Sequence, residues 1–223
     1  MYSDFVEFAI SQGVPLSTVT LILMLPVVVM IIAFFRQVIG IKAFGIYTPA
    51  LIIFAFLAIK SDSGDFWGGI RYGISIFATV IIVGTLARIV LKQFRLLYLP
   101  RVAIVISIVA LSTLLMLTIG GVFQRTGLAS VSIFPILIMI TLVEKFVAVQ
   151  IEKGNKTAIF LSLETLVISI FGYFVASWSA LIFLLQQYPW MVFAAIGINI
   201  LLGKWTGLRL SEYIRFKKII KNA

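Results

Sequence analysis

Long stretches without a charged residue alternate along this chain with short gaps that hold the charges. The uncharged runs cover residues 8–35, 43–59, 72–87, 102–124, 126–143 and 165–203. A helix that crosses the hydrocarbon core of a bilayer takes about 20 apolar residues. The last run, 39 residues, is too long for one crossing and carries Pro189 in its second half. It reads as two helices with a tight turn near Gln186–Pro189. The pattern therefore predicts seven transmembrane helices near 15–35, 43–59, 70–90, 102–120, 128–149, 157–182 and 189–205. Stretches such as Leu21–Phe35 and Val102–Leu111 are apolar on every face. A barrel strand alternates apolar and polar residues, so a barrel is excluded and an all-α integral membrane bundle remains.

The gaps are short, the longest about a dozen residues. Short connections make neighbouring helices antiparallel. None is long enough for a separate soluble domain, so residues 1–223 read as a single seven-helix transmembrane domain. Composition agrees. At 62% hydrophobic and 12% charged residues, with a mean hydropathy of +1.17, the chain lies outside the range of soluble domains. Its first segment carries Asp4 and Glu7 but no Lys or Arg, unlike a cleaved signal peptide, and reads as a helix that is retained.

Charge gives the orientation. Of the 18 Lys and Arg residues, fifteen fall in one set of alternate gaps and three, Lys60, Arg71 and Arg125, in the other. Cytoplasmic loops accumulate Lys and Arg. The N-terminus is thus expected outside and the C-terminus in the cytoplasm of a cell inner membrane. The same rule accounts for the net charge of +10 without nucleic acid. In the tail, 206–223, Leu210, Tyr213, Ile214 and Phe216 alternate with Arg209, Glu212, Arg215, Lys217 and Lys218. That is a basic amphipathic helix suited to the inner leaflet.

Candidate chemistry is sparse. Cys and His are absent, which excludes disulfides, Cys/His zinc sites, haem held by those residues and any nucleophile–His pair. Asp4, Asp62 and Asp65 lie outside the spans, so a pair of buried catalytic aspartates is excluded; Arg71 with Asp62 or Asp65 reads as a surface pair. Lys204 sits at the end of the last helix, not at mid-span, which excludes a retinal protein. No cofactor or metal is expected. Intramembrane charge marks function in membrane proteins. Glu164, about 10 Å into its helix by rise per residue, and Arg88 are the candidates. Glu164 could be a proton or cation site. An ion pair to Arg88, Arg36 or Lys204 that keeps it near the interface is favoured, because neither Glu144 nor Glu164 reaches the midplane. Gly203 and Gly207 have the spacing that lets helices pack closely, and Asn199 reads as an interhelical hydrogen bonder. Trp67, Trp178, Trp190 and Trp205 fall near span ends, as aromatic-belt residues do. Tyr47-Thr48-Pro49 and Tyr98-Leu99-Pro100 both place proline in a first helical turn, where it is favoured.

Several motifs occur in a specific order. They are Phe35-Arg36-x-x-Ile39-Gly40-x-x-x-Phe44-Gly45-x-x-x-Pro49-Ala50-Leu51, then Leu99-Pro100-Arg101, then Phe134-Pro135 followed by Glu144. Last comes Gly203-Lys204-x-x-Gly207-x-Arg209-Leu210-x-Glu212-x-x-Arg215-Phe216. Together they resemble the bacterial family of seven transmembrane helices usually fused to an inactive transglutaminase. The resemblance implies a degenerate transglutaminase-like domain on the outer side, which an outside N-terminus suits. It also implies an ATP-grasp peptide ligase and a retropepsin-like protease as genomic neighbours, and no established activity. This sequence shows the helical unit without the outer domain, so a stand-alone version or a partner that supplies the domain is expected.

Arg36, Gly40, Lys42, Gly45, Pro49, Pro100, Arg101, Glu144, Lys204, Arg209, Glu212 and Arg215 all fall at the expected cytoplasmic face. Two explanations stand level. One is a docking surface for an anionic ligand or a ligase. The other is the clustering that short turns and inside-positive charge produce anyway. The expected function is a non-enzymatic membrane anchor or scaffold for an envelope-associated peptide-ligase system. A small transporter or channel with Glu164 as its coupling group is the alternative, and a lipid-acting enzyme ranks last for want of an acid/base pair.

Overall fold

A helix closes its backbone hydrogen bonds within one segment, which a lipid environment demands of any spanning chain. The computed structural model describes residues 2–94, 97–122, 131–204 and 213. Among them the chain forms α-helices and no strand. They are α1 (Asp4–Ser11), α2 (Leu16–Phe34), α3 (Tyr47–Ser63), α4 (Phe66–Leu91), α5 (Tyr98–Val122), α6 (Ile133–Lys153), α7 (Asn155–Ala176), α8 (Ser179–Gln187) and α9 (Met191–Gly203). A π-turn, Phe35–Ile39, prolongs α2.

Five segments are long and apolar enough to cross a membrane: Leu16–Ile39, Phe66–Leu91, Tyr98–Val122, Ile133–Lys153 and Asn155–Ala176. The pair α8 and α9 passes the same test together, but it is bent by 109° at the Tyr188–Trp190 break. At 17 residues α3 is about 25 Å long, slightly short of the hydrocarbon thickness of roughly 30 Å. Large apolar side chains face outwards on these helices, among them Ile82, Leu114, Phe160 and Phe193. In water such a surface would aggregate; against acyl chains it is at home. The protein is a multi-pass membrane protein.

The structure departs from the sequence reading in three places. A short helix, α1, precedes the first crossing. Ser3 caps it by accepting the Val6 N–H at 3.4 Å, Asp4 and Glu7 lie in its first turn, and Val6 is fully buried. A side-chain acceptor and acidic residues at a helix start offset its exposed N–H groups. The helix expected at 157–182 ends at Ala176, where Trp178 adopts an extended conformation and α8 starts afresh. No glycine or proline marks that break. The helix expected at 189–205 is the 13-residue α9. The expected interfacial tail, 206–223, lies outside the described residues except for Tyr213.

Two compact units are distinguished, Met1–Ala50 with Ile168–Ala223, and Leu51–Val167. The chain passes between them within α3 and within α7. In the first unit α2 packs against α9, α8 and α1. Gln186 Nε2 donates to Thr20 Oγ1 at 2.8 Å, and the Ser3 N–H reaches the Gln186 carbonyl at 3.2 Å, so the end of α8 is held at the start of α2. Phe35 and Phe171 meet edge to face at 4.8 Å. The buried Ser169 hydroxyl donates to the Pro49 carbonyl at 3.3 Å.

In the second unit α4, α5 and α6 pack on one another. Their meeting point is Gly84, whose missing side chain leaves room for Phe146, Val109 and Val143. At one end, Asp62 accepts the Ser132 N–H at 2.8 Å, while Asp65 caps α4 through the Trp67 N–H at 3.2 Å. Asp65 also pairs with Arg71 at 2.8 Å. That settles which aspartate serves Arg71, and both side chains are about half exposed or more, so the pair contributes little. The buried Phe56 of α3 lies where a Cβ on Gly73 of α4 would be.

The last contact gives a test. Gly73→Val forces Phe56 aside, and overpacking of this kind costs about 1–3 kcal/mol. The thermal midpoint of the detergent-solubilised protein is expected to fall, and Phe56→Ala to recover part of the loss. Gly84→Ala, whose Cβ would sit at ordinary contact distances of 3.8–3.9 Å, leaves the midpoint unchanged.

Candidate functional site

Helix α2 ends in an unusual way, and the ending builds a cavity. The N–H groups of Gly40 and Ile41 both reach back to the Phe35 carbonyl, at 3.0 and 3.2 Å. The turn is one residue wider than an α-turn, and Gly40 closes it in the left-handed conformation, φ 87°, ψ 20°. A residue with a Cβ is strained there, which explains glycine at this place in the motif. Gly45 supplies a second left-handed position, φ 72°, before α3 starts. The chain between the two glycines folds back beside α2.

The reversal brings Lys42 alongside Arg36. With Gln37 and, from α9, Asn199, they line a cavity of about 360 Å³. Ala33, Ile41, Ala43, Ile46 and Leu202 supply its apolar wall, and Gly203 its edge. Among the described residues no Asp or Glu lines it. Arg36 is half-buried, and among the described residues no hydrogen bond or ion pair engages its guanidinium. A second cavity of about 400 Å³, wholly apolar, lies on another side of α2 between Met30, Phe34, Phe35, Ile39, Phe171 and Ile198. The π-turn thus sorts consecutive residues, Phe35 to the apolar cavity and Arg36 to the polar one.

Of the residues singled out from the sequence, Arg36 and Lys42 meet in this cavity, and Gly40 and Gly45 bound the loop that supplies Ile41, Lys42 and Ala43 to its lining. Pro49 is buried in the first turn of α3. Lys204 is exposed at the end of α9, where a cation suits the helix C-terminus. Pro100, Arg101 and Glu144 belong to the other unit: Pro100 and Glu144 are exposed, Arg101 half-buried. Arg88 donates to Asn155 Oδ1 and faces the charge of Arg101. Glu164 is half-buried on α7 and engaged. Arg209, Glu212 and Arg215 lie outside the described residues, as does Gly207. Among the described residues a Cβ on Gly197 or Gly203 would meet nothing within 4 Å, whereas one on Gly73 of α4 would meet Phe56.

The sequence reading missed Gln37 as a lining residue and took Asn199 only for a helix–helix bond. A lone amide in the otherwise apolar α9 was the available signal. It also missed Gln150, 1% exposed on α6, whose Nε2 donates to Thr85 Oγ1 at 3.3 Å while its Oε1 has no partner among the described residues. Gln150 follows Val143, Phe146 and Val147 on one buried face, a spacing that already points it inwards. Among the described residues no group of three or more carboxylates is placed to hold a metal ion. What the polar cavity can do is bind an anion: a forked guanidinium and an ammonium supply charge, and amides supply neutral donors.

The reversal is testable without any ligand. Gly40→Ala places a Cβ in the left-handed region at a cost of about 1–2 kcal/mol. The expected outcome is a lower thermal midpoint, together with faster labelling of a cysteine introduced at Ala43 as the loop loosens.

Residues 1–220 match the family described as 7 transmembrane helices usually fused to an inactive transglutaminase. No curated protein and no solved structure matches the chain. A match over nearly the whole length, on a chain of long lipid-facing helices whose motif glycines and Arg36 build one cavity, shows that this protein belongs to that seven-helix family.

Proposed function

We propose that the protein is a non-enzymatic scaffold of the inner membrane, whose cytoplasmic end docks a peptide-ligase system through an anionic group. The observation that carries this reading is the cavity at the end of α2, where two cations and two amides converge and, among the described residues, no carboxylate lines the wall. Seven crossings by α2, α3, α4, α5, α6, α7 and the bent α8–α9 pair, with the N-terminus outside, agree with the fifteen-to-three division of Lys and Arg. The ends of α2, α4 and α9 and the starts of α3, α5 and α7 then face the cytoplasm. A transglutaminase-like partner docks outside, and an ATP-grasp ligase inside.

Reporter fusions test the topology: a fusion at the N-terminus is expected to report the outside and one at residue 223 the cytoplasm. Both in one compartment would overturn the seven-span reading. For docking, the expected outcome is an ATP-grasp ligase gene beside this one, with its product co-purifying. Recovery is expected to fall several-fold when Arg36, Arg101 and Glu212 are each replaced by Gln. Unchanged recovery in all three counts against docking.

The break between α8 and α9 favours a second reading. Discontinuous helices line substrate paths in transporters, and this pair is bent by 109°. In that case Glu164 couples the ion. Proteoliposome flux that disappears in Glu164→Gln supports it, and equal leak in both removes it.

A further inference from the structure

The cavity at the end of α2 lies at a particular depth. Arg36 is the first charge after the uncharged run 8–35, so it stands where the hydrocarbon core gives way to the headgroup layer. Phosphate is the abundant anion at that depth. The walls match an amphiphile and not a free ion. Arg36 and Lys42 line one part, with Asn199 near them, and Ile46 and Leu202 line another. A dissolved anion has no use for the apolar wall, whereas the glycerol and ester carbons next to a lipid phosphate do. The volume, about 360 Å³, falls in the range of small-ligand pockets, roughly 300–1,000 Å³.

We propose that this cavity is a binding site for an anionic phospholipid. Arg36 grips two phosphate oxygens through its forked N–H groups, Lys42 adds a second positive charge, and the Asn199 amide donates to a headgroup hydroxyl. The lining selects within phospholipids as well. A zwitterionic headgroup carries its own ammonium into a pocket that, among the described residues, holds two cations and no carboxylate, and is repelled. A headgroup with phosphate and hydroxyls but no ammonium is not. The role follows from position. Arg36 is half-buried, and a half-buried guanidinium without an anion is costly. The lipid neutralises it and ties the end of α2 to α9. The inference rests on the proposed reading only in taking this end as cytoplasmic and its ligand as anionic.

The full chain, purified in mild detergent, tests it. Lipid extraction with mass spectrometry is expected to recover about one anionic phospholipid per chain. Arg36→Gln with Lys42→Gln is expected to lower retention by at least about tenfold, since each lost charge-assisted contact is on the order of tenfold. Lys60→Gln, on the far end of α3, leaves retention unchanged. The unaltered protein supplies a second measurement that does not depend on the variants folding. Its thermal midpoint is expected to rise with added phosphatidylglycerol and to stay put with phosphatidylcholine or excess inorganic phosphate. An equal rise with phosphatidylcholine, or with inorganic phosphate, overturns the lipid assignment, as does equal retention in the double variant. Loss of lipid preference with ligase recovery intact defeats this inference alone. Lipid selectivity without any ligase recovery defeats the docking reading alone.

Discussion

Lipid offers no hydrogen bonds, and most of what is regular in this protein follows from that. Every peptide group within the hydrocarbon must find its partner inside the chain. Hydroxyl side chains obey the same demand by turning back on their own helices. Thr20 donates to the Leu16 carbonyl, Thr85 to Ile81, Ser112 to Ile108, Thr113 to Val109 and Ser162 to Ala158, all at 2.7–2.9 Å. These serines and threonines are thereby neutralised where they stand. Ser169 reaches across to the Pro49 carbonyl instead, and Gln150 and Gln186 reach Thr85 and Thr20 through longer amides that cannot close on their own carbonyls so easily.

Irregular backbone falls at one end of the uncharged run 8–35 and twice inside the longest run, 165–203. The π-turn after α2, the break after Ala176 and the bend at Tyr188–Trp190 are the main cases. The first one is chemically productive. An extra residue in the turn lets Phe35 pack on Phe171 while the next residue, Arg36, joins the polar wall. A plain α-helical ending would have given the loop a different exit, and Lys42 a different neighbour.

The long crossings were legible because their signal is a sum over about 20 residues, which survives local detail. α1 was not, being eight residues with Asp4 and Glu7 among them, and it depends on the Ser3 cap and on packing against α2. Nor was the break at Ser177–Trp178, which has no proline or glycine to announce it. At the candidate site, Arg36, Gly40 and Gly45 were visible as a motif, and Lys42 as a charge in the same gap, because they lie within ten residues of each other. Asn199 and Leu202 come from the far end of the chain, and no linear pattern states that α9 would be the helix to cover α2. The acidic pair illustrates the same limit. The sequence left Asp62 and Asp65 interchangeable, but only Asp65 precedes α4 closely enough to cap it, and Asp62 was free to take the Ser132 N–H.

α9 has 13 residues and so extends about 20 Å, well short of a typical hydrocarbon thickness of roughly 30 Å. With α8 bent away by 109°, it cannot borrow length from its predecessor. Where a crossing is that short, the bilayer meets the mismatch by thinning and by drawing headgroups and water inwards along that flank. In the proposed seven-crossing arrangement, the membrane beside α9 would therefore be dimpled, with shorter or more loosely packed acyl chains enriched there.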